Sequence, residues 1–519
     1  MLLAIGEGRW HSGSMQTSVD LNQLSESEVR ALAAQMQSTI QRLTVEKEHL
    51  THEIALLRRH RFGQRSEAQG KSPQQSLLSD LVDEDLAAIE SELEALNEPV
   101  TETRQRSKPR RQSLPAQLPR TEIRHDPEST TCGCGCQLTR IGEDISEKLD
   151  YEPGAFSVER HTRSKWACKQ CETVVQAPVA PHIIDKGIPT TNLLAQVLIS
   201  KYADHVPLYR QEQIYARAGM ELPRSTLADW VGRCGVELTP LVDCLRSCLL
   251  GHAVLHADET PVPMLSPGKK KTHRAYIWAY ATTRTAPIQA VVYDFQPTRS
   301  GKACREFLAD WHGHLVCDDY QGYKAGFVTG MTEVGCWAHA RRKFFELAER
   351  GNSPIAEQAL VTVGRLYDIE REIAEKPPDE RRRIRDAQAR PIAGHLREWL
   401  IHQRSGLTEG TRTAKAIDYS LKRWEALTRY LDDGAVPIDN NWIENQVRPW
   451  ALGRKNWLFA GSLRSGQRAA NVMSLIQSAK INGLDPQAYL RDVLERLPTL
   501  MYSEIDSLLP HNWRAPVKV

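Results

Sequence analysis

The sequence predicts a multidomain α+β chain, and three observations carry that expectation. A heptad pattern free of Pro and Gly lies near the start, cysteines gather in two knuckles after a Pro-rich basic stretch, and helical periodicity gives way to β-rich segments between Ala253 and Cys317 before returning. At 519 residues the chain exceeds one ordinary core, so about three or four folded units are expected. The balance of 67 basic against 65 acidic residues identifies no partner, because an average charge hides local patches. Eleven cysteines, few for this length, odd in number and with five gathered in two knuckles, argue against a disulfide scaffold and for a metal site in a reducing compartment, the cytoplasm. The opening MLLAIGEGRW lacks the form of an export signal and no sustained apolar run follows, so neither export nor a membrane span is expected.

Residues 20–60 carry the heptads: Val29, Met36, Leu43, Leu50 and Leu57 at one position, Ala33, Ile40 and Ile54 at the other, broken only by Lys47. That register predicts a coiled coil and a homo-oligomer; the alternative is a long helix packed on its own domain. An acidic helix is expected over 77–97. Residues 98–125 interleave Arg104, Arg106, Lys108, Arg110, Arg111 and Arg120 with Pro109, Pro115 and Pro119, a composition that predicts a linker, either solvated or lying along phosphates. Over 126–180, Cys132, Cys134 and Cys136 face Cys168 and Cys171 across some thirty residues. Thiolates on two tight turns suit a tetrahedral structural zinc, with Cys168, Cys171 and two of the first three as ligands. Residues 188–250 read as helices, and within them Leu208 to Gly219, MELP and RSTLADWVGR have the form of a helix-turn-helix. Gly219 would end the first helix and Ser225 or Thr226 start the second, offering Arg224, Ser225 and Thr226 to a DNA groove. A purely structural αα-hairpin is the alternative.

From 251 to 350 the order is a strand ending at Asp258, two β-rich segments (Arg274 to Thr282 and Ile288 to Phe295), a helix from Gly301 to Trp311, and a strand HLVC running into Asp318 and Asp319. Three strands, a helix and a fourth strand, with acids in the first and at the tip of the fourth, predict an RNase H-like α/β core. Residues 351–434 keep two helical rhythms, through Ile355, Ala359, Thr362, Leu366, Ile369 and Ile373 and through Ile417, Leu421, Trp424, Thr428 and Leu431, and read as an inserted helical subdomain. Its RRRIR run, Arg381 to Arg385, is expected on a charged helix face, with contact to DNA the alternative. A third acid, Glu444, is expected over 435–465 on a helix capped by Asp439 and ended by Pro449, sharing one face with Asn441, Asn445 and Arg448. Residues 466–515 read as a C-terminal helical region. Asp258, Asp318 and Glu444 would hold magnesium or manganese, since hard cations prefer carboxylate oxygens and a pair of them clamps an in-line displacement at phosphorus. His339, Arg341 and Arg342 in CWAHARRKF, with Arg448, Arg454 and Lys455, are candidate phosphate contacts, and Trp337 or Trp457 would stack on an unpaired base.

From about Leu21 to Trp513 the chain resembles the insertion-sequence-66 family of bacterial transposases. The resemblance rests on RFGQRSE, LPRTEI, GEDISEKLDY with KWACKQCE, SKYADHVPLYRQ with RSTLADWVG, LHADETPVP, CDDYQGY, CWAHARRKFF, and IDNNWIENQVRPWALGRKNWLFAGS with INGLDPQAYLRDVL. It implies a DDE transposase, a polynucleotidyl transferase that binds the ends of its own element and target DNA, cuts, and joins. It also implies Asp318 rather than Asp319 as the second acid, and small accessory proteins of the same element. The family's first zinc knuckle has two residues between its cysteines, where this chain has CGCGC. Two other classes remain open: a zinc and helix-turn-helix DNA-binding protein without catalysis, against which the intact triad argues, and a metal-dependent nuclease that cuts without joining.

Overall fold

The computed structural model describes residues 35–47, 49–51, 53–54, 84–86, 88–90, 92–93, 114–127, 129–152, 154–179, 181–184, 187–266, 272–349, 351, 353–457 and 459–516. It divides into two compact units, Met1–Val197 with Leu208–Glu237, and Leu198–Pro207 with Leu238–Val519. No helix among the described residues is long and apolar enough to cross a membrane.

In the first unit, the described residues of 35–54 and of 84–93 are helical. Leu50 and Ile54, from the heptad positions, pack with Leu86, Ile89 and Leu93 of the acidic segment, whereas Met36 and Ile40 stay 57% and 62% exposed. Leu50 and Ile54 are thus packed within the chain, while the earlier heptad residues Met36 and Ile40 are not. Leu57 and the basic residues 104–111 lie outside the described residues.

A sheet absent from the sequence reading follows. Its strands are β1 (Arg120–His125), β2 (Thr139–Glu152), β3 (Ala155–Ala167) and β4 (Val174–Gln176), with β3 pairing parallel to β1 and antiparallel to β2 and β4. Residues 120–125, expected in the linker, are therefore a strand. Arg120 fixes it by donating to Glu147 on β2 at 3.0 Å and to the carbonyls of Leu114, Pro115, Ala116 and Leu118. Helices α1 (Thr191–Tyr202), α2 (Leu208–Arg217) and α3 (Arg224–Glu237) come next. Gly219, at φ +84, ends the α2 segment as expected. On α3, a Cβ at Gly232 would stand 2.6 Å from the Glu84 carbonyl, so glycine is what lets the acidic segment approach.

The second unit opens with α4 (Thr239–Leu250) and a five-stranded sheet: β5 (Val254–Met264), β6 (His273–Thr282), β7 (Val291–Gln296), β8 (His314–Val316) and β9 (Thr332–Val334), in spatial order β7-β6-β5-β8-β9. β5, β6 and β7 pair antiparallel; β8 and β9 run parallel to β5. Strand β5 does not stop at Asp258 but continues through Pro261 and Pro263. Its pairing with β8 ends at His256, and further along the strand Ala460 takes over, donating to the Pro263 carbonyl at 2.8 Å and accepting the Leu265 amide at 2.9 Å, so neither proline is asked for a ladder donor to β8. Helix α5 (Gly301–Leu308) joins β7 to β8, α6 (Gln321–Val328) joins β8 to β9, and α7 (Trp337–Glu349) leaves the sheet.

The inserted helices are α8 (Pro354–Glu372), α9 (Pro378–Ile384), α10 (Arg390–Ser405), α11 (Arg412–Lys422) and α12 (Trp424–Thr428). Their core continues into the sheet through Val254, Val316 and Val334 and into α7 through Trp337. The RRRIR run departs from expectation: Arg382 and Arg383 are exposed, but Arg381 and Arg385 are buried. Arg385 is fully enclosed, pairing with Glu370 at 2.7 Å and donating to the carbonyls of Tyr430, Asp433 and Val436. Helices α13 (Asn441–Trp457), α14 (Leu463–Ile481) and α15 (Pro486–Arg496) complete the unit. The α14 hydroxyls of Ser474 and Ser478 accept from the amides of Tyr293 and Val291 at 2.8 and 2.9 Å, so the outer edge of β7 is capped rather than left open.

Candidate functional site

The acid site begins with strand register. His256 and Val316 are the last partners of the parallel β5–β8 pair, so Asp258 and Asp318 each stand two residues further along. With side chains alternating at period two on strands about 4.8 Å apart, that register continued past the end of β8 directs both acids to one face, and the Asp318 charge bears on Asp258. Asp258 Oδ1 accepts the Glu259 amide and Asp318 Oδ1 the Tyr320 amide, both at 2.9 Å.

Asn440 joins this face to the third acid. Wholly buried, it donates through Nδ2 to the Ala257 carbonyl at 2.9 Å, and its Oδ1 lies 2.7 Å from His256 Nδ1. Burial pushes His256 down to about 4, so the ring is neutral and donates from Nδ1. The Asn440 amide donates to Cys336 Sγ at 3.2 Å, and its carbonyl accepts the Glu444 amide at 3.3 Å, starting the first turn of α13. Asp439, the expected cap, accepts the Asn441 amide at 3.1 Å and the Tyr367 hydroxyl at 2.9 Å. Pro449 does not end the helix. Buried Val447, Trp450 and Gly453 carry α13 to Trp457, so tertiary packing outweighs the lost backbone bond. Asn441, Asn445 and Arg448 are exposed and Glu444 half-buried, the polar face the spacing predicts.

The charges at this site oppose one another. Burial, then the neighbouring charge of Glu259, pushes Asp258 up to about 8, and the charges of Asp318 and Glu444 add in the same direction. Glu444 Oε1 is buried without a hydrogen-bond donor; the Arg342 guanidinium and the His339 imidazole, whose pKa burial holds below the usual histidine value, each lie 3.8 Å from the carboxylate. Asp319 belongs to a separate network, 3.0 Å from Lys324 and 3.6 Å from Arg423, which also hold Glu333.

The thiols converge in the first unit. Sulfurs of Cys132, Cys134, Cys168 and Cys171 all lie within 4.8 Å of one another. Cys134 Sγ is 3.7 Å from Cys168 and 3.8 Å from Cys171, matching the edge of a tetrahedron with zinc–sulfur bonds of about 2.3 Å. Cys136 is outside the group: its thiol donates to Gln170 Oε1 at 2.7 Å. The pair that converges with Cys168 and Cys171 is thus Cys132 with Cys134, on a turn closed by the Gly135 amide donating to the Cys132 carbonyl at 2.8 Å, with Gly135 at φ +83.

A family model described as "Transposase IS66 family" matches residues 186–468, more than half of the chain. The chain belongs to the IS66 transposase family. Three further IS66 models match: "Transposase C of IS166 homeodomain" over 49–123, "zinc-finger binding domain of transposase IS66" over 129–172, and "IS66 C-terminal element" over 474–511. Two proteins of Sinorhizobium fredii are similar along most of their length. The uncharacterized protein y4jD is 36% identical over 490 residues, covering 90% of this chain and 94% of its own. The uncharacterized protein y4qI is 37% identical over 505 residues, covering 94% and 92%. The zinc-finger match spans all four converging cysteines, and together they support a structural zinc in this IS66 chain.

The candidate DNA contacts of this IS66-family protein divide by environment. Arg341, Arg342, Arg448 and Lys455 are exposed, as is Ser225; His339 and Thr226 are half-buried. Arg224 begins α3 but pairs with Glu212 at 3.0 Å, and Arg454 donates to the Pro261 carbonyl at 2.8 Å. Trp337 is not available to stack: it is buried, its indole donates to the Leu427 carbonyl at 2.7 Å, and Trp424 packs on its face. Trp457 lies against Trp450 at 5.5 Å. Glu259, without a role from sequence, is a buried acid whose carboxylate accepts from Arg299 Nε at 2.8 Å and from the Tyr323 hydroxyl at 2.7 Å. The pairing of two acids in HADET was its only signal.

Proposed function

We propose that this IS66-family chain is a DNA transposase that binds the ends of its own element and cuts and joins DNA at Asp258, Asp318 and Glu444. The observation that carries the reading is the register that directs Asp258 and Asp318 to one face, tied through Asn440 to the helix bearing Glu444. The sheet order β7-β6-β5-β8-β9, with its first three strands antiparallel and the rest parallel to β5, supports an RNase H-like core.

The residues fit divalent cations. Three carboxylates supply hard oxygen donors, Glu444 Oε1 is buried without a donor, and the charges that bear most on buried Asp258 are those of other acids. Asp258, Asp318 and Glu444 would hold magnesium or manganese, which when bound activates water or a 3′-hydroxyl and stabilises the departing oxygen. Arg342, beside Glu444 and exposed, pairs with phosphate, and His339 buttresses the carboxylate. Arg448, one turn beyond Glu444, extends the phosphate-binding face. Zinc held by Cys132, Cys134, Cys168 and Cys171 stabilises the N-terminal sheet, α2 and α3 contact the element ends, and the exposed heptads of Met36 and Ile40 pair chains in the cytoplasm. Small accessory proteins of the element join the assembly. Incubating purified protein with magnesium and labelled element ends tests the reading. Cutting followed by joining is expected; binding alone would point to a DNA-binding protein, and cutting alone to a nuclease.

A further inference from the structure

The inserted helices contribute a basic groove that sequence reading did not single out. A cavity of about 330 Å³ lies between α7 and the first turns of α11, lined by Lys343 and Glu346 from α7 and by Arg412, Lys415 and Tyr419 from α11. Three cations thus face one anion. Lys343, Arg412 and Lys415 are all exposed, and the Lys343 ammonium stands 5.6 Å from the Tyr419 ring.

The placement is electrostatically unfavourable for the free chain. Arg412 and Lys415 occupy the first turn of α11, whose Thr411 cap accepts the Ala414 amide at 3.2 Å and which holds no acid there. Helix starts favour negative charge, so two cations there raise a positive potential that an anion relieves. The groove also continues the acid site. Lys343 follows His339 by one helical turn on α7, and His339 and Arg342 adjoin Glu444. On the other wall the Tyr419 hydroxyl accepts from Arg423, whose guanidinium donates to the Asp318 carbonyl at 3.3 Å.

We propose that this groove binds the phosphate backbone of DNA and leads it to the acids, giving the helical insertion the role of gripping the substrate. The proposal rests on the reading of the chain as a DNA-processing enzyme. Its occupant is DNA rather than an acidic protein segment, because one wall of the groove is joined through Tyr419 and Arg423 to the Asp318 carbonyl, beside the acids that on that reading receive a phosphodiester.

The test measures affinity for a duplex oligonucleotide of arbitrary sequence across a salt series. Each phosphate contact contributes about 0.9 to the slope of log affinity against log salt. The variant Lys343→Gln/Arg412→Gln/Lys415→Gln should lose about 2 to 3 from that slope. Lys343→Arg/Arg412→Lys/Lys415→Arg should keep it, which separates lost charge from misfolding. Removing charge from the exposed Arg382 and Arg383 on α9 serves as the control. An unchanged slope in the triple glutamine variant, or an equal fall in the α9 control, would overturn the groove. The two readings fail separately: a wild-type protein that cuts and joins while the slope is unmoved leaves the acids standing, and a slope that falls in a protein without catalysis leaves the groove standing.

Discussion

The side chain of Asn440 donates to the carbonyl of Ala257 at 2.9 Å, which makes one buried amide a link between the strand bearing Asp258 and the first turn of the helix bearing Glu444. Asn440→Ala removes partners from the Ala257 carbonyl and the His256 imidazole together. Each buried group left unpaired costs about 1–3 kcal/mol, so urea denaturation should show a loss of about 2–4 kcal/mol. A change within error of zero would mean that the two elements are held elsewhere.

Asp258 predicts a pH dependence. Its folded pKa of about 8 exceeds the unfolded value of about 3.9, so between those limits the native state keeps a proton that the unfolded chain has lost. Stability contributed by this group is therefore full at low pH and declines as pH rises toward 8. In chelator at pH 8, Asp258→Asn should exceed wild type by on the order of 1–3 kcal/mol, with the gap closing near pH 4 and narrowing when magnesium is added. Superimposable stability–pH curves for the two proteins would contradict this.

Glu259 is enclosed while Arg299 is partly open to solvent, so the two are not equivalent as targets. Arg299→Ala strands a buried carboxylate and should cost about 2–4 kcal/mol, given the usual penalty for an uncompensated buried charge. Adding Glu259→Gln to that variant should recover much of the loss in the same denaturation measurement. No recovery would show that Arg299 acts through its packing on Tyr320 instead.

The thiol geometry separates Cys136 from its neighbours. Cys136→Ser should retain about one zinc per chain by elemental analysis, whereas Cys134→Ser should lose it, as a structural site needs all four ligands. The opposite pattern would reassign the knuckle.

Local signals in the sequence carried the strands around Asp258 and Asp318, the polar face of Glu444 and the clustering of the cysteines, because each depends on periodicity or spacing within a short window. What escaped depends on partners distant in the chain. β1 was hidden because Arg120 reads as linker charge until Glu147 is seen beside it. Arg385 reads as a surface charge until Glu370 and three carbonyls enclose it. Pro449 reads as a stop, yet the packing of Trp450 against Tyr293 holds the helix through it. The choice of Cys132 and Cys134 over Cys136 required the position of Gln170, some thirty residues away.

The central claim concerns three carboxylates acting on one phosphodiester. Joining of labelled element ends with magnesium, compared between wild type and Asp258→Ala, Asp318→Ala and Glu444→Ala, tests it most directly. Each single variant should lose joining by at least about 10³-fold, on the scale of removing one group that acts as part of a unit, while DNA affinity and zinc content stay at wild-type levels. A purified variant of any of the three that joins at the wild-type rate would contradict the claim.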